Sequence, residues 1–351
     1  MILQLIFIFF FSLTSLFVFR KVAKEIGLID RPDLRKQHKG AIPLVGGIAV
    51  FCTIAQFISF NPDIILYSDL FLASIAVLII IGVFDDKYDI SFKFRLIVQT
   101  SLTIIMMHIT GLELNTIGDI LWLGALEFGS LAPVITVLGV LGAINAFNMV
   151  DGIDGLLGGL SIVTFTGLAL ILSLNNQSNL VLLCVVIIVA IIPYVLMNLG
   201  LLGRKRRVFM GDAGSMMIGF TVIWLLLSAS QNSDINIMRP VTGLWLIALP
   251  LMDMAVVMAR RIIQRRSPFR PDRDHLHHIC LQLGLTKIHT LIIICSIATI
   301  FAGFGVLGEI YQIHEAIMFF IFIVTFGIYA LLLLKNWPNY NADVTDNITL
   351  D

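Results

Sequence analysis

Charged residues are scarce in this sequence: Asp, Glu, Lys and Arg make up 13% of its 351 residues, against about 25% in an average soluble domain. Apolar residues account for 58%, where roughly 45–50% is usual, and the mean hydropathy is +0.97. A soluble fold of this length cannot bury so much apolar surface. The scarcity of charge therefore excludes a water-soluble protein and indicates one whose main solvent is lipid.

Several catalytic and redox signatures are also missing. The chain has four cysteines, and no two of them show CxxC spacing, so we expect packed thiols rather than a metal site or a redox pair. The sequence contains no Walker A motif, no GxSxG motif and no HExxH motif. It therefore gives no support to P-loop, serine-hydrolase or zinc-protease chemistry.

Long apolar runs are what the sequence does contain. A bilayer core of about 30 Å needs roughly 20 apolar residues per helix, and backbone groups in lipid must be satisfied within the segment, which favours helices. The chain yields eleven such runs, near 2–19, 43–60, 66–84, 94–110, 131–149, 159–174, 180–199, 213–230, 241–259, 289–307 and 315–334. The predicted fold class is an all-α polytopic integral membrane protein with about eleven transmembrane helices, in one transmembrane domain over residues 1–351.

Basic residues are distributed unevenly, and their distribution predicts the orientation. Of the 23 lysines and arginines, 22 fall on one side of the eleven runs and only Arg239 on the other. The positive-inside rule makes the first side cytoplasmic, with a periplasmic N-terminus and a cytoplasmic C-terminus. Basic residues also follow the first run, Met1–Phe19, and none precedes it; a cleavable signal peptide has the reverse order, so we expect a retained helix. The other side has short loops with few charges, so we expect the function at the cytoplasmic surface.

Asp85, Asp86 and Asp89 form a DDxxD pattern at the inner end of the third run. Adjacent carboxylates at a membrane edge repel each other and lose hydration, so they require a proton or a cation. A site for magnesium and a diphosphate provides such a cation. A solvated helix end is the alternative interpretation.

The connection between the fifth and sixth runs, residues 145–159, combines acidic and amide side chains with four glycines. Asn148, Asp151 and Asp154 recur at every third position, so a helical or turn-like segment would align them on one side. The glycines allow a ligand to approach the backbone closely. A plain Gly-rich turn between two helices is the alternative.

Another acidic motif opens the eighth run, where Asp212 lies within Phe209–Ser215, directly after the basic segment Arg204–Arg207. Asp212 is placed where a helix N-cap or a metal-binding carboxylate would be. The basic segment is also explained as a signal for membrane orientation.

The connection after the ninth run, residues 260–288, is the richest in cations. It begins with Arg260 and Arg261 and contains three clustered histidines, His275, His277 and His278. Clustered histidines are the usual ligands of zinc, whereas the surrounding arginines favour binding of a phosphate or a sugar phosphate. An amphipathic surface helix is the third interpretation.

Together these motifs lie on one membrane face, in loops near 85–95, 145–159, 204–215 and 260–288. Asp253, a carboxylate inside the ninth run, is expected to support them, because intramembrane carboxylates are costly and usually paired or functional. The combination suits phosphoryl transfer between a soluble diphosphate and a membrane-held acceptor. An intramembrane prenyltransferase is the enzymatic alternative. A transporter is the non-enzymatic alternative, although transporters place their ionisable residues near the membrane midplane.

The motifs closely resemble those of the polyprenyl-phosphate N-acetylhexosamine-1-phosphate transferase superfamily, over essentially the whole chain. The segments that carry the resemblance are Pro43–Gly47, Asp85-Asp86 with Asp89, Asn145–Gly159, Phe209–Ser215, Pro250–Asp253 and His275–His278. Ile144–Gly159 and Ser267–His278 are most similar to the branch that uses UDP-GlcNAc and undecaprenyl phosphate. The acidic tail 336–351 departs from this branch, which can carry a basic one.

The resemblance implies that the phosphate of undecaprenyl phosphate attacks the β-phosphorus of UDP-GlcNAc and that UMP leaves. It implies Mg²⁺ as the cofactor, with Mn²⁺ as the alternative, bound by Asn148 and Asp212. Asp85, Asp86 and Asp89 would be the catalytic acids on the acceptor side. A phosphate monoester has a second pKa of about 6, so the acceptor is already mostly dianionic at neutral pH. This favours a single direct displacement over an aspartyl-phosphate intermediate.

By the same resemblance, Asp151 and Asp154 would lie beside the nucleotide, with Asp154 near uracil. The remaining substrate-binding residues, expected at the sugar phosphate or the diphosphate, are His275, His277, His278, Arg260 and Arg261. The expected location is a bacterial inner membrane with the active site on the cytoplasmic face, and the product would initiate O-antigen or a related surface glycan. A UDP-GalNAc donor and a teichoic-acid pathway stay open. The bilayer and both substrates are the expected partners; a homodimer is allowed, and no nucleic acid is expected.

Overall fold

A computed structural model of the chain describes residues 2–30, 40–231, 237–268 and 275–335. Within these ranges the protein is mainly helical, with apolar helices long enough to cross a membrane, which confirms the predicted all-α polytopic membrane protein. The helices are α1 (Ile2–Ile26), α2 (Gly46–Ser59), α3 (Ser68–Tyr88), α4 (Phe92–Thr110), α5 (Ala132–Met149), α6 (Leu156–Leu174), α7 (Ser178–Asn198), α8 (Gly211–Ser230), α9 (Pro240–Leu246), α10 (Ala248–Ile263), α11 (Leu276–Gln282), α12 (Lys287–Ile310) and α13 (Glu315–Lys335).

Short elements complete the described chain. The strands β1 (Ile29–Asp30) and β2 (Ile42–Pro43) pair antiparallel, and 3₁₀ turns cover Pro62–Ile64, Gly129–Leu131 and Arg204–Arg206. The acidic tail 336–351 lies outside the described residues, as do positions 269–274 of the Ser267–His278 motif.

Nine helices of the described ranges are long and apolar enough to cross a membrane, and the bent pair α9–α10 would make ten. All eleven predicted runs overlap helices, but two of them are not straight, full-length spans. Helix α2 has 14 residues, fewer than the roughly 20 that a bilayer core requires. The run 241–259 divides between α9 and α10, which meet at 79°. The count of eleven crossings and the orientation therefore stay predictions.

Pro250 explains the break between α9 and α10. A proline ring clashes with the carbonyl four residues earlier and offers it no N–H, and that carbonyl belongs to Leu246, the last residue of α9. The hydroxyl of Thr164 donates a hydrogen bond to this carbonyl at 3.1 Å, so the freed acceptor is satisfied. The helix resumes at Ala248 with Pro250 in its first turn, where a missing N–H costs little.

Helix α8 is the centre of the bundle, and 17 of its 20 residues are buried. Glycines let three neighbours approach its backbone: a Cβ on Gly82 of α3 would lie 2.1 Å from Ala213 Cα, and one on Gly47 of α2 would lie 2.3 Å from Gly214 Cα. On the other side, a Cβ on Gly219 would lie 2.6 Å from the Cα of Ile144 in α5. Such close approach maximises van der Waals contact where lipid offers no hydrophobic driving force. The start of α8 is therefore held between α2, α3 and α5.

Arg239, the cation that the sequence separates from the others, is held in a polar clamp far from the acidic motifs. Its Nε donates to Glu309 Oε2 at 2.9 Å, and its Nη2 donates to the Gly308 carbonyl at 2.6 Å. Thr242 Oγ1 donates to the same Glu309 oxygen at 2.8 Å. These contacts fasten the start of α9 to the end of α12, so Arg239 has a structural partner of opposite charge.

Candidate active site

Three helix ends meet on the side of the bundle where the acidic motifs lie. The end of α3 carries Asp85 and Asp86, the end of α5 carries Asn148, and the start of α8 carries Asp212. Direct hydrogen bonds join Asp86 and Asn148 to the first turn of α8. The structure thus brings together residues that are up to 127 positions apart in the sequence; we call these four residues the acidic cluster.

Asp86 caps α8 from a neighbouring helix. Its Oδ1 accepts a hydrogen bond from the backbone N–H of Asp212 at 2.8 Å, and its Oδ2 accepts one from Ala213 at 3.4 Å. The first N–H groups of a helix have no partner within it, and the helix dipole favours a negative charge there. The N-cap interpretation of Asp212 is therefore wrong: Asp212 is the second residue of α8, and the capping carboxylate comes from Asp86.

Asn148 is oriented by α8. Its Nδ2 donates hydrogen bonds to Asp212 Oδ1 at 2.7 Å and to Ser215 Oγ at 2.8 Å. This arrangement fixes which side of the amide faces the helix. The amide oxygen makes no hydrogen bond within the described part of the chain and remains available to a ligand.

Arg95, which the sequence motifs did not single out, is the cation of the acidic cluster. Its Nη1 lies 2.5 Å from Asp85 Oδ2 and 3.8 Å from Asp212 Oδ2. Arg95 stands in the first turn of α4, a helix capped by the Ser91 hydroxyl. Asp85 is almost fully buried, whereas the side chain of Asp212 is 40% exposed. The open carboxylate of the cluster is therefore Asp212.

The loop between α5 and α6 holds the next two acids. Burial, together with the nearby carboxylates of Asp212 and Asp154, raises the pKa of Asp151 to about 7. Asp154 pairs with Arg207, and it also lies 3.8 Å from Lys287 Nζ. Neither Arg207 nor Lys287 was assigned a role from the sequence. Asp151 thus faces the acidic cluster, while Asp154 lies among cations that suit a phosphate or a nucleotide.

Asp253 binds the start of the histidine segment through both of its carboxylate oxygens. Its Oδ2 lies 2.7 Å from His275 Nδ1, and its Oδ1 accepts hydrogen bonds from Leu276 N at 2.9 Å and from the Tyr329 hydroxyl at 2.8 Å. The other ring nitrogen, His275 Nε2, faces Arg261 Nη2 at 3.5 Å. The expectation that Asp253 supports the motif agrees with this geometry. Tyr329, on α13, is a partner that no sequence motif indicates.

His277 lies inside the protein. Its exposed fraction is 2%, and burial, together with the neighbouring His278 ring, lowers its pKa to about 3, so the ring is neutral at physiological pH. Its Nε2 has no hydrogen-bond partner among the described residues. The ring packs against the loop between α5 and α6, where a Cβ on Gly152 would lie 1.9 Å from that nitrogen. In this conformation His277 supports the loop, and a direct contact with substrate stays a prediction.

The other predicted residues are placed as follows. Arg260 and Arg261 are buried in the last turn of α10, and Arg261 Nη1 donates to the Pro268 carbonyl at 2.5 Å. The His278 ring lies 4.2 Å from that of His277. Asp89 is the exposed C-cap of α3, with a left-handed backbone at φ +52°. Its backbone N–H donates to the Asp85 carbonyl at 2.8 Å, but within the described ranges its side chain makes no hydrogen bond or ion pair with the acidic cluster.

The acidic cluster fits Mg²⁺ better than zinc. Mg²⁺ needs only one or two protein carboxylates and takes water and phosphate oxygens as its other ligands. The exposed Asp212 carboxylate and the unbonded Asn148 oxygen provide such donors. A cation there would also offset part of the rise in the pKa of Asp151 that burial and the neighbouring carboxylates cause. The described residues contain no group of three or more His, Cys, Asp or Glu side chains that could hold a metal ion. The zinc interpretation of the histidines therefore gains no support.

Known proteins are similar to this chain over most of its length. Residues 69–230 match the family described as glycosyl transferase family 4. The chain is 46% identical to the undecaprenyl-phosphate alpha-N-acetylglucosaminyl 1-phosphate transferase of Salmonella typhi, over 95% of this chain and 91% of the relative. It is 46% identical to the protein of the same name in Pasteurella multocida, over 96% and 94%. The enzyme of that name in Escherichia coli (strain K12) is 45% identical, over 95% and 91%.

Proposed function

The chain belongs to glycosyl transferase family 4, and we propose that it transfers GlcNAc 1-phosphate from UDP-GlcNAc to undecaprenyl phosphate. An oxygen of the lipid phosphate attacks the β-phosphorus of UDP-GlcNAc and forms a new P–O bond. The bond between that phosphorus and the oxygen of the UMP phosphate breaks, and UMP leaves. The observation that carries the proposal is the meeting of Asp85, Asp86, Asn148 and Asp212 at three helix ends. The names and the extent of the similar proteins supply the substrates.

The catalytic problem in this reaction is electrostatic, because two anions must approach in line. Asn148 and Asp212 would hold Mg²⁺, which when bound neutralises phosphate oxygens and orients the diphosphate. Arg95 positions Asp85 and faces Asp212, so its charge is directed into the same space. Arg207 and Lys287 beside Asp154 would receive the nucleotide end of the donor.

A single displacement is the mechanism that this arrangement supports. Both oxygens of Asp86 accept backbone hydrogen bonds from α8, and an oxygen of Asp85 lies 2.5 Å from Arg95. A carboxylate so engaged is a poor nucleophile, since attack would break the contacts that hold it. We therefore infer that Asp85 and Asp86 act by positioning Arg95 and the start of α8 and through their negative charge. A phosphorylated protein formed from UDP-GlcNAc before any lipid is added would contradict this mechanism.

The experiment that tests the function incubates the purified full chain with undecaprenyl phosphate and either UDP-GlcNAc or UDP-GalNAc, with and without Mg²⁺ or Mn²⁺. We expect release of UMP and a lipid-linked sugar with UDP-GlcNAc, and loss of both products with EDTA. Asp212→Asn should reduce turnover about 100-fold or more. The matched control, Asp63→Asn, changes an exposed acid of another connection and should keep full activity. No product from either donor would refute the proposal.

The proposed setting is a bacterial inner membrane with the acidic cluster open to the cytoplasm, where nucleotide sugars are found. The distribution of basic residues supports this orientation. The product, a lipid-diphosphate-linked GlcNAc, would serve enzymes that extend O-antigen or a related surface glycan. That pathway and a homodimer stay predictions from the sequence.

A further inference from the structure

An exposed group of cations lies beside the candidate active site. It is formed by Arg20, Lys21 and Lys24 at the end of α1 and by Arg204, Lys205 and Arg206 in a 3₁₀ turn; we call these six residues the basic patch. The two segments are 185 positions apart in the chain, yet Arg20 Nη2 donates a hydrogen bond to the Lys205 carbonyl. The Arg206 guanidinium lies 5.8 Å from the centre of the Phe17 ring. The fold thus concentrates the two segments at one place.

The described carboxylates leave the charge of the basic patch unneutralised. In the described part of the chain, none of its six members forms an ion pair with a carboxylate. The next residue, Arg207, behaves differently, because it turns inward to Asp154 and to the Asn198 carbonyl. Within α1 and the 3₁₀ turn, Glu25 is the one acid against six cations. The patch is therefore a strongly positive surface that is separate from the site's own cations.

The basic patch begins where the apolar surface of α1 ends, which is the depth expected for lipid headgroups. Helix α1 carries no charge before Arg20, and it exposes side chains such as Leu3, Phe7 and Phe10, as a helix facing lipid does. Lys21 and Lys24 follow within about one helical turn, at the point where the apolar surface ends. Anionic phospholipids give the cytoplasmic leaflet a negative surface potential at this depth.

We propose that the basic patch binds the headgroups of anionic phospholipids of the cytoplasmic leaflet, at a site beside the acidic cluster and distinct from it. Orientation signals alone do not account for the patch. The positive-inside rule needs cations on the cytoplasmic side, but it does not need two distant segments to converge on one exposed surface. The site provides five guanidinium or ammonium groups on exposed side chains of the turn and of α1, plus Arg20 at their junction, for phosphate oxygens.

The test measures lipid retention by the full-length protein. The protein is placed in nanodiscs of equal parts phosphatidylcholine and phosphatidylglycerol, and the lipids retained after release are counted by native mass spectrometry. The variant Arg204→Gln/Lys205→Gln/Arg206→Gln removes three charges, whereas Arg204→Lys/Lys205→Arg/Arg206→Lys keeps them. We expect the wild type and the charge-keeping variant to retain phosphatidylglycerol preferentially. Each neutralised cation should weaken that preference by about fivefold, and added salt should weaken it in the wild type.

A second neutral variant distinguishes loss of lipid binding from an effect of the first variant on membrane insertion. Lys21→Gln/Lys24→Gln leaves the 3₁₀ turn intact and should lower phosphatidylglycerol retention in the same direction. Equal retention by the wild type and both neutral variants would overturn the proposal.

The proposed acceptor, undecaprenyl phosphate, is itself an anionic lipid. A further experiment therefore separates binding of the acceptor from binding of phospholipid headgroups. In pure phosphatidylcholine we expect the neutral variants to keep the wild-type KM for undecaprenyl phosphate. A raised KM with unchanged phosphatidylglycerol retention would assign the patch to the acceptor and would also overturn the proposal. The retention measurement needs no enzymatic turnover, so its result stands apart from that of the proposed function.

Discussion

Replacing Asp86 separates a capping role from a role as catalytic base. Asp86→Ala removes two hydrogen bonds to the first turn of α8 and the negative charge at its positive end. A hydrogen bond to a charged group contributes about 1.5–3 kcal/mol, and a charge at a helix end typically about 0.3–1 kcal/mol. Because the Ala213 contact is long at 3.4 Å, we count mainly one strong bond, and we expect a loss of about 2–4 kcal/mol.

Asp86→Asn is the informative partner of this variant. Asparagine keeps one oxygen that can accept from Asp212 N–H, so we expect about half of the destabilisation, roughly 1–2 kcal/mol. If Asp86 acts by holding α8, and with it Asp212, activity should follow the order wild type, Asn, Ala. A catalytic base predicts a different order, because neither asparagine nor alanine can accept the proton and both variants should be equally inactive.

Thermal unfolding of the purified proteins and initial rates of UMP release measure the two effects. Asp69→Ala is the matched control, since Asp69 is an exposed acid in the first turn of the same helix, α3. It should cost at most about 1 kcal/mol and leave the rate unchanged. The capping argument would be refuted if Asp86→Ala unfolded like the wild type while losing its activity.

Three further predictions concern residues around the cluster. Arg95→Gln should reduce kcat at least tenfold more than Arg95→Lys, since lysine keeps the charge beside Asp85; equal losses in rate assays would contradict this. Tyr329→Phe should lower kcat/KM about two- to tenfold by removing one hydrogen bond to Asp253, whereas exposed Tyr311→Phe should have no effect. Because the pKa of His277 is low in the folded protein, its ring is protonated only in the unfolded chain between about pH 6.5 and pH 3. Stability should therefore fall on acidification, by up to about 2 kcal/mol more between pH 7 and pH 5 than in His277→Gln; parallel pH profiles would contradict this.

The helices were predictable because hydropathy is a local property. Each apolar run overlaps a helix, since backbone groups in lipid have few alternatives to helical hydrogen bonds. The two runs that are not straight, full-length helices have local causes that hydropathy does not show. Pro250 inside the run 241–259 was a signal for the break after Leu246, and a count of apolar residues does not register it. Likewise, the start of the run 43–60 pairs with Phe209 through its backbone, so α2 is shorter than the run.

The site was predictable as a set of residues and not as a set of contacts. Asp85, Asp86, Asn148 and Asp212 are recognisable because polar side chains at the ends of apolar runs are costly without a purpose. Their partners depend on how helices cross, and the hydrogen bond from Asp212 to Asp86 joins positions 126 apart. Arg95 was missed for the same reason, since nothing in its sequence neighbourhood distinguishes it from the other cytoplasmic cations.

The close approach of α3 to α8 at Gly82 and Ala213 lies next to the acidic cluster. Asp85 and Asp86 lie three and four residues beyond it, about 5–6 Å along the helix, whereas the opposite end of α3 at Ser68 lies about 21 Å away. A tilt of about 10° around this contact would move the carboxylates by roughly 1 Å and the far end by nearly 4 Å. The carboxylates are therefore the part of α3 that a tilt about this contact would move least, and the packing of Phe71 against Trp224 at 5.4 Å opposes such a tilt at the far end.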